Sequence, residues 1–165
     1  MGNKNRVGIG YDIHALKAGR KLVLGGVEIF YHKGLDGWSD ADVLLHALMD
    51  ALLGAVAMGD IGTHFPPGNP QYQNISSLIL LGKVKTILDE AGWKVGNVDM
   101  MIIAEQPRLK EYIPRMTQNI AKVLQVSQGD ISIKASTNEK MGIIGEGQGI
   151  AAQAVALIEK VKNTS

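Results

Sequence analysis

The 165-residue chain has no cysteine. This excludes disulfides and thiolate ligands, so any bound metal must be held by His, Asp and Glu. The absence also agrees with a reducing cytoplasm. A charge excess of one sign is lacking too. Seventeen basic residues stand against 16 acidic ones, for a formal net charge of +1. With no block of like charges, nothing marks a nucleic-acid partner or a membrane surface. No segment approaches the roughly 18 consecutive apolar residues of a membrane span. The opening MGNKNRVGIGYD holds no apolar run of signal-peptide length. What is present is an ordinary globular composition, 45% hydrophobic and 20% charged. The length fits one domain over residues 1–165 with a core of its own.

Residues 6–11 read as a strand, and KLVLGGVEIF (21–30) as an extended segment broken by a turn or bulge at Gly25-Gly26. The Ala- and Leu-rich run from Asp40 to Met58 is too long for a strand and predicts a helix, capped by Ser39 or Asp40 and ended at Gly59. A loop follows over 59–74, holding Pro66, Pro67 and Pro70. Ser76 or Ser77 opens a second helix to Ala91. NVDMMIIAEQ (97–106) is the clearest strand, 108–124 a helix with Pro114 near its first turn, and DISIKAST (130–137) a strand. The Ala-rich stretch from Gly147 to Lys162 predicts a last helix. The reading is one α/β domain without repeat or linker.

Chemistry-bearing residues cluster in three places. In YDIH, the alternation of Val7, Ile9, Tyr11 and Ile13 sets Asp12 and His14 together on the opposite strand face. In the helix 40–58, Asp42, His46 and Asp50 recur at i, i+4 and i+8, a polar stripe in apolar surroundings that has to find partners. Either the two aspartates simply hydrogen-bond His46 and nearby backbone, or His46 is a metal ligand oriented by a carboxylate behind it. Asp12 and His14 added to His46 would make a three-ligand set with an open position, the pattern of a catalytic zinc. His32 and His64 read as solvated or packed.

Third, Ser136, Thr137, Glu139 and Lys140 bring hydroxyls, a carboxylate and an ammonium within five positions, fit for a phosphate and a hard cation or equally for a capped turn. The glycines at 142, 145, 147 and 149 suit either an anion-binding strand-to-helix turn or a flexible connection. G-I-G of GIGYDIH has Ile13 where a dinucleotide fingerprint needs its third Gly, so a Rossmann site is not expected.

YDIHAL, SDADVLLHALMDALLGAVAMGDIG, NVDMMIIAEQPRL and KASTNEKMG, in this order and spacing, resemble the 2-C-methyl-D-erythritol 2,4-cyclodiphosphate synthase family over about Arg6 to Lys160. The resemblance implies an α+β domain, a mixed sheet covered by helices, that assembles as a homotrimer with each site shared between neighbouring subunits. It implies zinc, one ion per subunit, on Asp12, His14 and His46. It implies Mg²⁺ or Mn²⁺ on Glu139 with the substrate's diphosphate, and Thr137 and Lys140 among the catalytic residues. Ribose contacts fall on Asp60 and Gly62. The nucleobase pocket falls on Ala104, Pro107, Arg108, Leu109, Lys110 and Ala135, and phosphate contacts on Ser136 and Thr137, with Ser39 a further substrate contact.

The implied activity is that of a cytoplasmic bacterial enzyme of the non-mevalonate isoprenoid route. It would convert 4-diphosphocytidyl-2-C-methyl-D-erythritol 2-phosphate to the 2,4-cyclodiphosphate and CMP. Departures from the family pattern are Trp38 for His, Asn69 for Asp in the proline loop, and Gln148 for Glu. Ile143 and Glu146 align with the Phe and Arg that line an axial cavity in some members. Trp38 and Asn69 motivate a second reading, a catalytically weak homologue that binds metal and cytidine nucleotides. A third is a metal-dependent phosphohydrolase, which would give linear products.

Overall fold

The computed structural model describes residues 4–161. In chain order these form β1 (Asn5–Ala18), β2 (Leu22–Leu24), β3 (Val27–Ile29), β4 (Lys33–Leu35), α1 (Val43–Ala55), α2 (Ile61–His64), α3 (Ser77–Glu90), β5 (Trp93–Ile103), α4 (Ile113–Leu124), β6 (Ile131–Ser136), α5 (Gly142–Gly145) and β7 (Gly149–Lys160). Five strands make a mixed sheet in the order β4-β1-β7-β5-β6, while β2 and β3 pair as a separate ribbon. Within the five-stranded sheet, only the β5–β6 pairing is parallel. Helix α1 lies on β1 and β7, α3 packs on α1, and α4 packs on α3 and β6. This is the single α/β domain expected, a mixed sheet covered by helices.

Small residues set the distance between helix and sheet. A Cβ at Gly8 would stand 1.9 Å from the Ala51 carbonyl oxygen, and one at Gly10 1.8 Å from that of Ala47. Glycine is therefore required at both positions, and Ala47 and Ala51, one turn apart, present the matching helix face. On the neighbouring strand, Ala152, Ala154 and Ala156 are fully buried under the same helix. The G-x-G of the opening motif is a seat for α1.

That seat explains the main correction. The Ala-rich segment 147–162, expected as a helix, is strand β7 over Gly149–Lys160, with Lys162 outside the described residues. Alanine favours helix in isolation, but here its small side chain lets a central strand lie close beneath α1; tertiary packing overrides the propensity. The glycines before it therefore lead into a strand and open no long helix. Other differences are at the ends. Strand β1 runs on to Ala18, helix α4 starts at Ile113, and α1 is capped by Asp42, whose side chain accepts from Leu45 N–H. Helix α1 stops at Ala55, short of Gly59, and the loop 59–74 contains α2 and a 3₁₀ turn over 70–72.

The sheet face away from the helices is open, and apolar along β1, while Gln153 of β7 and the Asp99–Lys134 ion pair make it polar further across. Val7, Ile9 and Tyr11 on β1 are 66%, 73% and 53% exposed, and Val155 of β7 stands in the same layer.

Candidate functional site

Because Gly8, Gly10, Asp12 and His14 share one face of β1, the glycines that admit α1 also aim the next two side chains at it. Helix α1 answers with His46, one residue before Ala47. Asp12 Oδ2 lies 2.9 Å from His14 Nε2 and 3.0 Å from His46 Nδ1, and the two ring nitrogens are 3.2 Å apart. Among the described residues this is the one His/Asp/Glu group arranged to hold a metal ion.

The donor set itself calls for a cation. His14 Nδ1 is 2.6 Å from the Asp36 carbonyl oxygen, which only accepts, so Nδ1 carries the proton of a neutral ring and the Nε2 lone pair faces the site. Without a metal, protons take its place. Burial opposes charge on Asp12, but the His14 and His46 rings beside it outweigh that and hold the carboxyl down at about 2. Burial also opposes charge on His14, yet the hydrogen bond to Asp12 prevails and raises its pKa. Carboxylate and imidazole suit zinc among the common divalent ions.

The other edge of His46 is buried. Its Nε2 is 3.1 Å from both Ser39 Oγ and Ser77 Oγ. The stripe of aspartates serves the scaffold: Asp42 accepts from the backbone of Gly25, Gly26 and Leu45, and Asp50 accepts from Ile61 N–H at the start of α2. Burial, with Asp40 nearby, pushes Asp42 up to about 7 despite those three bonds. Neither carboxylate bonds the His46 ring, although the Asp42 backbone carbonyl accepts His46 N–H at 3.0 Å. The carboxylate expected behind the histidine is Asp40, one hydroxyl removed through Ser77.

The triad forms one wall of a cavity of ≈ 260 Å³. Its remaining walls are apolar and include Trp38, Ile61, Phe65, Tyr72 and Leu80. Trp38 stood out in the sequence as a departure from the family pattern; the other four did not, because they come from separate segments and none carries a chemical signature. Ser39 and Gly62 line the same cavity. Asp60 caps α2 instead, accepting from Thr63 N–H and Oγ1–H. His64 bonds the Met58 carbonyl and His32 stacks on Tyr31, so neither joins the triad.

A second cavity of ≈ 220 Å³ has no lining residue in common with the first. Ala104, Pro107, Arg108, Leu109 and Lys110 line it from one side, Ala135, Ser136 and Thr137 from the other. These are the residues assigned to the nucleobase and phosphate contacts, gathered from two distant segments.

Beside it, Glu139 and Lys140 are exposed and take left-handed backbone conformations, with φ of 51° and 60°. Both carboxylate oxygens of Glu105 hold this turn, accepting Asn138 N–H at 3.1 Å and Lys140 N–H at 3.2 Å. Glu139 Oε1 accepts from Thr137 Oγ1–H at 3.2 Å. Glu105 is a functional candidate the sequence did not reveal, since its partners are backbone groups more than thirty residues away.

A mixed α/β sheet whose strand and helix converge three donor atoms on an open cavity defines a metal-dependent enzyme. A model of the YgbB family matches residues 5–159. The 2-C-methyl-D-erythritol 2,4-cyclodiphosphate synthase of Syntrophomonas wolfei is 57% identical over 155 residues, 94% of this chain and 99% of that protein. The enzyme of that name from Chloroherpeton thalassium is 55% identical over 156 residues, again 94% and 99%. The solved structure of IspF from Plasmodium falciparum, a CDP complex, matches with a TM-score of 0.85 at 34% identity over 98% of this chain and 100% of that one. The chain belongs to the YgbB family, that of the 2-C-methyl-D-erythritol 2,4-cyclodiphosphate synthases.

Proposed function

We propose that the chain converts 4-diphosphocytidyl-2-C-methyl-D-erythritol 2-phosphate to 2-C-methyl-D-erythritol 2,4-cyclodiphosphate and CMP, acting as a phosphorus–oxygen lyase of the non-mevalonate isoprenoid route. The observation that carries this reading is the convergence of Asp12, His14 and His46 on one open cavity.

In the reaction the substrate's 2-phosphate oxygen attacks the β-phosphorus. The bond from that phosphorus to the CMP oxygen breaks, CMP leaves with the electron pair, and an eight-membered ring remains. The nucleophile is already an anion at neutral pH, so no strong base is needed. The obstacles are repulsion between phosphates and their alignment in one line. Zinc held by Asp12, His14 and His46, and Mg²⁺ or Mn²⁺ held by Glu139 with the diphosphate, would supply the charge neutralisation when bound.

The chain's own groups do the positioning. Ala104, Pro107, Arg108, Leu109, Lys110 and Ala135 would take the cytosine ring in the second cavity. Ser136, Thr137 and Lys140 would meet the phosphates beside it. Ser39 and Gly62, with Asp60, would meet the sugar side.

Assembly as a homotrimer fits the open apolar face of β1 and the separation of the two cavities, with one subunit supplying the metal triad and its neighbour the nucleotide pocket. The bacterial cytoplasm is the proposed setting, in keeping with the bacterial relatives.

The deciding experiment is product analysis by mass spectrometry. Substrate is incubated with protein and Mg²⁺, with and without a chelator. Cyclic diphosphate and CMP, abolished by the chelator, are expected. Intact substrate at full zinc occupancy would overturn the assignment.

A further inference from the structure

Behind His46 runs a short hydrogen-bonded chain that ends on a carboxylate. His46 Nε2 is 3.1 Å from Ser77 Oγ, and Ser77 Oγ–H donates to Asp40 Oδ1 at 2.5 Å. The carboxylate accepts two further hydrogen bonds, both from backbone N–H groups. Its Oδ2 accepts Ser77 N–H at 2.9 Å and its Oδ1 accepts Asp42 N–H at 3.2 Å. Ser77 is fully buried, as the first residue of α3.

A proton count then shows which form of the ring the relay selects. A serine hydroxyl has one hydrogen, and this one is given to Asp40, whose carboxylate only accepts. Toward His46, Ser77 Oγ can therefore only accept, so this hydrogen bond forms only when Nε2 carries the hydrogen. The Nδ1 lone pair is left facing Asp12 and His14; the Asp12 carboxylate, 3.0 Å from Nδ1, draws the hydrogen the other way, so the tautomer that forms measures whether the relay prevails. Ser39, the other neighbour of Nε2, does not make this choice. Its Oγ accepts Ala41 N–H at 3.2 Å but its own hydrogen is free to rotate. His14 is set in the same sense from its opposite edge by the Asp36 carbonyl.

We infer that Ser77 and Asp40 are positioning residues for the metal site: together they lock His46 in the Nε2–H tautomer with Nδ1 ready to bind. The inference rests on the metal reading of the triad. Partners of this kind that orient a ligating histidine typically change metal affinity by about tenfold to a hundredfold when removed. The relay also ties α3, whose Leu80 lines the cavity, to the metal site through a single hydroxyl.

The test is made on metal-free wild-type protein labelled with ¹⁵N-histidine, in a long-range ¹H–¹⁵N spectrum above the titration range. Only 4 histidines need assignment. His46 is expected as the Nε2–H tautomer, and Nδ1–H would overturn the relay whatever the variants do. Zinc affinity, by competition with a chromophoric chelator, is expected to fall about tenfold or more in Ser77→Ala. Circular dichroism and the melting temperature of the metal-free variant should stay close to wild type. Asp40→Asn, which can donate toward Ser77, should shift His46 toward Nδ1–H and weaken zinc as well. Unchanged affinity and tautomer in both variants would overturn the inference. A wild type that binds no zinc would instead overturn the metal reading, and the tautomer measurement separates the two failures.

Discussion

The indole N–H of Trp38 donates to the backbone carbonyl of Asn69 across 2.9 Å. Two departures from the family pattern, thirty-one residues apart, are thus partners of one another. The Trp38 carbonyl also accepts Asn74 N–H at 2.8 Å, and the Asn69 side chain caps the 3₁₀ turn through Gln71 N–H. Trp38 therefore holds the proline loop at two points over the cavity that contains the triad. In Trp38→Phe the aromatic wall stays and the loop contact goes. One such bond is worth about 0.5–1.5 kcal/mol, so KM should rise about threefold to tenfold with little change in kcat. Steady-state kinetics decide: an unchanged KM would mean the loop holds its place without the indole.

Removal of the helix ligand is the sharpest test of the metal site. His46→Ala should abolish zinc binding and turnover while the apolar remainder of α1 keeps the fold. Metal content by plasma mass spectrometry and a far-ultraviolet spectrum read both. Stoichiometric zinc in the purified variant would remove His46 from the ligand set.

The metal-free protein should show a stability profile set by the triad. Asp12, held at about 2 against an ordinary 3.8, adds stability that is present above pH 3.8 and lost as pH falls toward 2. After allowance for solvent screening this is on the order of 1–2 kcal/mol. His14, raised above 6.5, adds stability that is full below 6.5 and lost as pH rises through its folded value. Asp42, raised to about 7, keeps its proton in the folded state and so also favours the acidic side. Urea melts of metal-free protein should therefore be most stable at mildly acidic pH and weaken toward 8. Added zinc should reverse the alkaline fall, since it displaces the His14 proton. A metal-free profile that rises steadily to pH 8 would contradict the pairing of Asp12 with His14.

Glu105→Ala should release the turn that carries Glu139 and Lys140. Two left-handed residues cost about 1–3 kcal/mol each when unsupported, so the turn should relax and turnover fall well over tenfold. The global melting temperature should move little, because the turn is on the surface. Glu105→Gln keeps one acceptor oxygen and should be intermediate. Full activity in Glu105→Ala would show that the turn holds itself.

Much of this was legible in the residues. Asp12, His14 and His46 stood out because a buried polar group in an apolar setting needs a reason, and helix α1 was plain from its length. The pocket of Ala104 to Lys110 with Ala135 and Ser136 came through family resemblance, since backbone-lined cavities leave no chemical signature of their own. Strand β7 was not legible by propensity: its alanines say helix, and only the alternation of Ala152, Ala154, Ala156 and Ile158 toward α1 says strand. The Ser77–Asp40 relay was hidden because Ser77, 37 residues from Asp40 and 31 from His46, meets them only after folding.

Strand β7 has a further consequence. Ala151 pairs with Ile13 on one side and with Ile103 on the other. Asp12 and His14 flank the first of these partners, and Ala104, a wall of the second cavity, follows the second. One strand thus acts as a benchmark from which two distant stretches of chain take their level. Insertion of a single residue in β7 before Ala151 would move both levels together and leave their mutual offset intact. The same insertion in β1 or β5 would put them out of step. Substrate geometry should then tolerate drift in the shared reference better than drift in either stretch measured against it.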